Sequence, residues 1–183
     1  EGLTTFIAEL PATEKAGTRT TVDYATGKYT WSSGDKIFVL DDDNVWQQST
    51  NGVEGQSFLD DAKVSTYNFQ VPGKFTAKTS YQVLYLGKNA TSGKVTISAA
   101  QKQTNPNQTL HLGESGDWGV ATANKTGEGA YYFRLNHKST VLAFQPFNSA
   151  TSLESSVIRK IVVTSDNDIA GTYTVDTTTG QLK

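Results

Sequence analysis

The chain contains neither cysteine nor methionine, and it has only four prolines and two histidines among its 183 residues. Without cysteine, a disulfide framework, a thiolate zinc site and a thiol nucleophile are all excluded. The lack of cysteine does not distinguish an oxidising from a reducing compartment, because an oxidising environment permits disulfides without requiring them. Long apolar runs are lacking as well, so we expect no segment of this sequence to span a membrane.

Charge of either sign is scarce and evenly mixed. There are 16 basic and 18 acidic residues, giving a net charge of -2, and no basic block occurs. This balance argues against nucleic acid and against an anionic lipid surface as partners. Neither a G-x-x-x-x-G-K-[ST] loop nor a strand-linked G-x-G-x-x-G is present, so we expect no phosphate-binding site and no cofactor.

Polar turn formers and β-branched residues take the place of what is missing. Apolar residues make up 36% of the chain and charged residues 19%, and the balance is rich in Thr, Ser, Asn, Gln and Gly. Such a composition favours extended, turn-rich structure. The length suits one domain with its own core. We therefore predict an all-β fold, a two-layer antiparallel β-sandwich of about seven to eight strands.

Short alternating runs separated by turn formers mark the predicted strands. The segment Tyr131–Phe147 predicts a β-hairpin at the core of the domain, with Val141–Gln145 as a strand that is apolar on both faces. Val120–Ala123 is predicted as an edge strand. The other main strands are predicted at Thr4–Leu10, Thr18–Tyr24, Lys36–Leu40, Ser65–Val71, Tyr81–Leu86, Lys94–Ser98, Val157–Thr164 and Gly171–Val175.

Few residues could carry catalysis or hold a metal. His111 and His137 fall on a predicted loop and hairpin turn, and no G-x-S-x-G elbow accompanies them. A solvated His137 is the simplest interpretation, although a Ser-His-Asp or zinc site could still assemble in space. Asp41–Asn44 and Asp166–Asp168 have oxygen ligands of the kind calcium prefers, but turn formation explains both. We expect no catalytic residue and no metal site.

Tryptophan offers a different chemistry, because aromatic faces pack on sugar rings. Trp118 lies between Asp117 and Gly119 in a glycine-rich stretch and is the candidate sugar-stacking residue, with packing in the core or at its rim as the alternative. Trp46 is predicted to be part of a strand. A carbohydrate-binding surface module built on Trp118 is therefore one functional hypothesis.

Two motifs occur in a specific order along the chain. The first, W-x-x-G-D-x-I-x-V, spans Trp31 to Val39, and the second, L-x-H-x-x-x-x-L-x-F, spans Leu135 to Phe144. With the Thr18-Arg19-Thr20 segment, the strand from Tyr81 and the Gly171-Thr172-Tyr173 segment, they resemble the fimbrillin family of Bacteroidetes. Members of that family are pilins and surface lipoproteins.

The resemblance runs from about Thr18 to the last residue and implies the family's N-terminal domain, a transthyretin-like Greek-key β-sandwich, over residues 18–183. Residues 1–17 would form one unit with it, as a removable N-terminal strand and loop. The implied function is non-catalytic: a fimbrial, pilin-type subunit or related outer-membrane lipoprotein. Its partners would be other fimbrial subunits, joined by strand addition, and surface ligands of host or bacterial origin.

The resemblance also implies export and processing. Family members are made with a lipoprotein signal and reside in the outer membrane or the fimbrium, and a start at Glu1 without Met fits a processed or truncated chain. Pilin members are trimmed by an Arg-directed protease before strand exchange. Arg19 is the position that matches such a cut, with a structural place in its own strand as the alternative. If Thr4–Leu10 leaves the sheet, an apolar groove opens, and we expect this first strand to be loosely held.

Overall fold

The computed structural model describes residues 2–8, 21–22, 29–53, 66–88, 90, 93–106, 109–127, 129–149 and 156–183, with the backbone alone at 21–22 and 29–30. The all-β prediction is confirmed, because the described residues form strands and one short helix, α1 (His111–Glu114). None of the described helices is long and apolar enough to cross a membrane.

The described strands outnumber the seven to eight predicted because several are only two or three residues long. In chain order they are β1 (Thr4–Ala8), β2 (Thr21–Val22), β3 (Tyr29–Thr30), β4 (Phe38–Leu40), β5 (Trp46–Gln48), β6 (Tyr67–Val71), β7 (Ser80–Tyr85), β8 (Lys94–Ile97), β9 (Gly119–Lys125), β10 (Tyr131–Phe133), β11 (Asn136–His137), β12 (Gly171–Asp176) and β13 (Gln181–Leu182).

Eight of these strands form one large sheet in the order β5-β4-β7-β9-β10-β1-β6, with β11 pairing with β9. Every pair is antiparallel except β1 with β10. The chain beyond β5 returns to β6, since the Thr50 amide donates to the Gln70 carbonyl and the Asn51 side chain bonds to the backbone of Asn68 and Gln70. The sheet therefore curls until its two ends are bridged.

Period-two alternation along the strands divides the apolar residues between two cores. In β7, Tyr81, Val83 and Tyr85 point to an inner core enclosed by the curled sheet. Leu84 points outwards, to a second core that it shares with residues of the small sheet β13-β12-β8. The small sheet thus covers part of the large one, which gives the two layers of the predicted sandwich.

Strand β9 differs from its prediction as a short edge strand. It is seven residues long and lies between β7 on one side and β10 and β11 on the other. Ala123 is fully buried in the inner core, and Ala121 packs against that core. Glycine and alanine are depleted in strands, so this composition conceals an interior strand whose small side chains leave room for aromatic neighbours.

Two apolar runs predicted as strands, Val141–Gln145 and Val157–Thr164, have no strand in the structure. The predicted core hairpin is therefore wrong in its second strand and at the start of its turn, where β11 (Asn136–His137) pairs with β9, while β10 forms in its first strand. Phe147 is 93% exposed and Val157 is 74% exposed. Alternation shows only that a segment fits a pleated, half-buried surface, and it does not show that a neighbouring strand is there to provide one.

Candidate functional site

The first strand, β1, lies in the interior of the large sheet. It pairs in parallel with β10, from Phe6 opposite Tyr131 to Ala8 opposite Phe133. On its other side it pairs antiparallel with β6, from Thr4 opposite Val71 onwards. The expectation of a loosely held first strand is therefore wrong, because both edges of β1 face a hydrogen-bonded neighbour.

Phe6 anchors β1 in the inner core and is fully buried. Its ring centroid lies 5.0 Å from that of Phe75, edge to face, and 5.1 Å from that of Tyr131, stacked. Tyr81 completes the pocket with an edge-to-face contact to Phe6 at 6.4 Å. Each such aromatic pair stabilises by about 0.5–1.5 kcal/mol beyond the burial of its area. Phe6 is thus the side chain on which the seating of β1 depends most.

A hydrogen-bond network fixes the rim of this pocket. The Tyr81 hydroxyl donates to Asp42 Oδ1 at 2.7 Å. Asp42 Oδ2 accepts hydrogen bonds from the backbone amides of Thr76 at 2.8 Å and Ala77 at 2.9 Å. The Tyr131 hydroxyl donates a hydrogen bond, at 3.0 Å, to the backbone carbonyl of the residue directly before Thr76. The loop between β6 and β7 is therefore tied both to the 41–44 turn and to β10.

The same network shifts two pKa values in opposite directions. Desolvation raises the pKa of Asp42, but hydrogen bonds from Tyr81, Thr76 and Ala77 outweigh it and lower the pKa from 3.8 to about 2. Burial, followed by the hydrogen bond to Asp42, raises the pKa of Tyr81 from 10.0 to about 12. At neutral pH the pair is therefore a carboxylate that accepts a hydrogen bond from a neutral phenol.

The sugar-stacking prediction for Trp118 is wrong. Its side chain is only 4% exposed and packs in the second core together with Leu84 and Val175. A sugar ring needs an open aromatic face, which a buried indole does not offer. Trp46 is partly buried against the same core. Arg19, the predicted processing position, lies outside the described residues.

A buried polar cluster joins the loop before β9 to the residues after β11. His137 Nδ1 lies 2.9 Å from Asp117 Oδ1, and the Ser139 hydroxyl donates to the same oxygen at 2.8 Å. The Trp118 amide donates to the Ser139 oxygen at 2.9 Å. The prediction of a solvated His137 is wrong, because its side chain is 6% exposed. The Ser139 proton is directed at the carboxylate and not at the imidazole, so the cluster ties two segments together and is not ordered as a Ser-His-Asp relay.

Sequence reasoning missed this cluster, although one signal for it was present. His137 and Ser139 are two residues apart, so in extended chain both point to the same side. Asp117 is twenty residues earlier in sequence, and only the pairing of β11 with β9 brings it to them. His111, the other histidine, is the first residue of α1, and burial lowers its pKa.

The Asp41–Asn44 segment forms the turn that was predicted. Asp41 Oδ1 accepts hydrogen bonds from the amides of Asp43 and Val45, and Oδ2 accepts one from the Gln47 side chain. Asn44 has a φ of 59°, as a tight turn requires. Within the described ranges, no group of three or more His, Asp or Glu side chains could hold a metal ion.

Comparison of the chain with family models, curated proteins and solved structures finds no match. The resemblance to the fimbrillin family therefore stays a prediction that depends on the motifs alone.

The Phe6 pocket predicts a strong and local effect of truncation. Phe6→Ala is expected to lower the free energy of unfolding by about 3–5 kcal/mol, because it removes a buried aromatic side chain and leaves a cavity. Ile7→Ala is the matched control, since Ile7 is in the same strand but faces away from the inner core and is partly exposed. Urea unfolding of both variants checks this, and equal losses would contradict the role of Phe6.

The Asp42–Tyr81 pair is expected to stabilise the fold over an intermediate range of pH and to lose this effect at both low and high pH. The lowered pKa of Asp42 contributes stability above its usual pKa of 3.8, and this is lost as pH falls towards about 2. The raised pKa of Tyr81 contributes stability below 10.0, which is lost as pH rises towards about 12. Asp42→Asn should lower stability at pH 7 and make the acid loss less steep.

The control is Asp176→Asn, because the hydrogen bond from Lys183 likewise lowers the pKa of Asp176 to about 2 but at a site far along the chain from β1. Denaturant unfolding at a series of pH values measures both variants. If Tyr81→Phe reduces the effect of Asp42→Asn while leaving that of Asp176→Asn unchanged, the shared hydrogen bond is the cause. Full additivity of Asp42→Asn and Tyr81→Phe would contradict it.

Proposed function

We propose that this protein is a non-catalytic structural or adhesive protein of the cell surface, a fimbrial (pilin-type) subunit or a related outer-membrane lipoprotein, which assembles by β-strand exchange. Its partners in this proposal are further subunits and surface ligands of host or bacterial origin. Its location is the outer membrane or the fimbrium.

The observation that carries the proposal is the position of β1 between β10 and β6. A five-residue strand with neighbours on both sides leaves, when it departs, a slot with a parallel edge on one side and an antiparallel edge on the other. The bridge from Thr50 and Asn51 to β6 lies elsewhere and continues to hold the sheet together. An extended segment of another chain can then add as a strand.

Phe6 defines what the slot accepts. The incoming strand must place a large apolar side chain among Phe75, Tyr81 and Tyr131, and a small one two residues further on, where Ala8 is buried. The exposed face of such a strand is less constrained, because Thr5 and Ile7 are only partly buried. Side-chain pockets on one face of the strand thus give selectivity, and backbone hydrogen bonds give affinity.

Cleavage at Arg19 is the proposed trigger. While β1 is covalently attached, its effective concentration at its own slot is of millimolar order or higher, and a free strand cannot compete. A cut eleven residues after Ala8 turns β1 into a short separate peptide that is lost on dilution. Because β1 is held tightly, release of β1 by proteolysis is favoured over its spontaneous exchange with a strand of another chain. The carbohydrate-binding alternative is not carried further, because its platform, Trp118, is buried.

An Arg-specific protease tests the proposal. The chain has two other arginines, both exposed, so the Arg134→Lys/Arg159→Lys protein serves as the background in which Arg19 is the single target. After cleavage this protein is expected to lose the 1–19 fragment and to form ladders in SDS gels of unheated samples. The matched control adds Arg19→Lys, which keeps the charge and removes the cut.

A synthetic peptide of residues 2–8 sharpens the experiment. Added in excess, it should refill the slot and suppress the ladder, whereas the same peptide with Phe6→Ala should not. A cleaved protein that keeps its 1–19 fragment and stays monomeric would contradict assembly by exchange of β1.

A further inference from the structure

An exposed apolar segment connects β11 to β12. Among the described residues thirteen large apolar side chains are exposed, and ten of them lie between residues 141 and 169. The other three, Leu3, Val45 and Leu110, are far apart in the sequence. We call the described residues 140–149 and 156–170 the apolar arm. Single exposed apolar residues are ordinary, but such a concentration in one segment marks an interaction site.

The arm leaves the body and returns to it at adjacent points. At its start, the Ser139 hydroxyl is bonded to Asp117. At its end, Gly171 pairs with Ile97 of β8. Gly116 packs so closely on β8 that a Cβ there would lie 2.6 Å from Ile97 Cα. Since Gly116 and Asp117 are consecutive, the two ends of the arm are held at neighbouring points of the body, and its described residues contain neither helix nor strand.

The sequence of the arm is suited to strands. Its two apolar runs, 141–147 and 157–164, are rich in β-branched and aromatic residues, yet the structure assigns neither run to a strand. Phe147, Val157 and Val162 are 93%, 74% and 68% exposed. Apolar chain of high strand propensity that has no partner strand among the described residues is a template for pairing with another chain.

The exposed area is sufficient for a stable interface. At roughly 100 Å² for each of the ten side chains, the arm presents on the order of 1,000 Å² of apolar surface. A standard interface buries about 800 Å² per partner, and the largest apolar patch on a typical monomer is about 300–600 Å². The rest of the described surface has only scattered apolar side chains, so the surface that best matches the arm is a second arm.

We propose that the apolar arm is a self-association element, through which two copies of this chain pair residues 141–145 and 157–164 as strands of a symmetric interface. An isologous contact of this kind uses the same segment on both copies. It involves neither β1 nor its slot, so it goes beyond the proposed function, and it stands or falls independently of cleavage at Arg19.

Sedimentation equilibrium of the uncleaved full-length chain tests this proposal. The wild-type protein is expected to be a dimer that dissociates on dilution. Val162→Lys places a charge in the interface and should raise the dimer Kd by roughly thirtyfold or more. Val45→Lys is the matched control, because it makes the same change at another exposed valine, outside the arm, and should leave the Kd unchanged.

A second measurement uses the absence of cysteine from the chain. Val162→Cys and Val45→Cys each introduce a single thiol, and a bifunctional maleimide should cross-link the former into dimers and leave the latter monomeric. At protein concentrations below the dimer Kd, where dimerisation adds no stability, thermal unfolding of Val162→Lys should match that of Val45→Lys, because neither residue belongs to a core.

Three results would overturn the proposal. One is a wild-type chain that is monomeric at every concentration. Another is a monomer that binds vesicles of neutral phosphatidylcholine through the arm, which would make a membrane surface the partner. The last is unfolding caused by Val162→Lys and not by Val45→Lys, which would place the arm in the core of its own chain.

Discussion

The seating of β1 between β10 and β6 is the constraint on which the rest of the large sheet depends. This single strand joins two segments that are more than fifty residues apart in sequence, residues 67–71 and 131–133. Its parallel pairing with β10 needs a long connection between the two strands, which the chain from Ala8 to Tyr131 supplies. Phe6 makes the register unambiguous, since a slip by one residue would move it out of the aromatic pocket.

Local sequence pattern predicted the elements well and their arrangement poorly. The alternation in β7 and the Asp41–Asn44 turn were visible because adjacent residues determine them. Three features depend on segments that are distant in sequence: the parallel pairing of β1, the central position of β9 and the burial of Trp118. The alternation of apolar residues within a segment gives no information about them. The apolar runs of the arm show that the pattern can also predict strands that do not form. Their residues favour strands, but no neighbouring strand pairs with them among the described residues.

The polar groups explain why the described residues lead to a structural and not a chemical proposal. Asp41 and Asp42 accept hydrogen bonds from turn amides and side chains, and Asp117 ties His137 and Ser139 to the start of β9. Each of these carboxylates therefore holds chain segments together. The two remaining features are the doubly paired strand β1 and the exposed apolar arm, and both proposals about contacts between chains depend on them.

Hydrogen exchange of the backbone amides of β1 is the most direct measurement of whether this strand is a switch. In the intact protein, we expect the amides of β1 to exchange as slowly as those of β7, since both strands are interior. After cleavage at Arg19, we expect the amides of β1 to exchange at the rate of a free peptide while those of β7 stay protected. Amides of β1 that remain as protected as those of β7 after the cut would contradict the release of β1 by proteolysis.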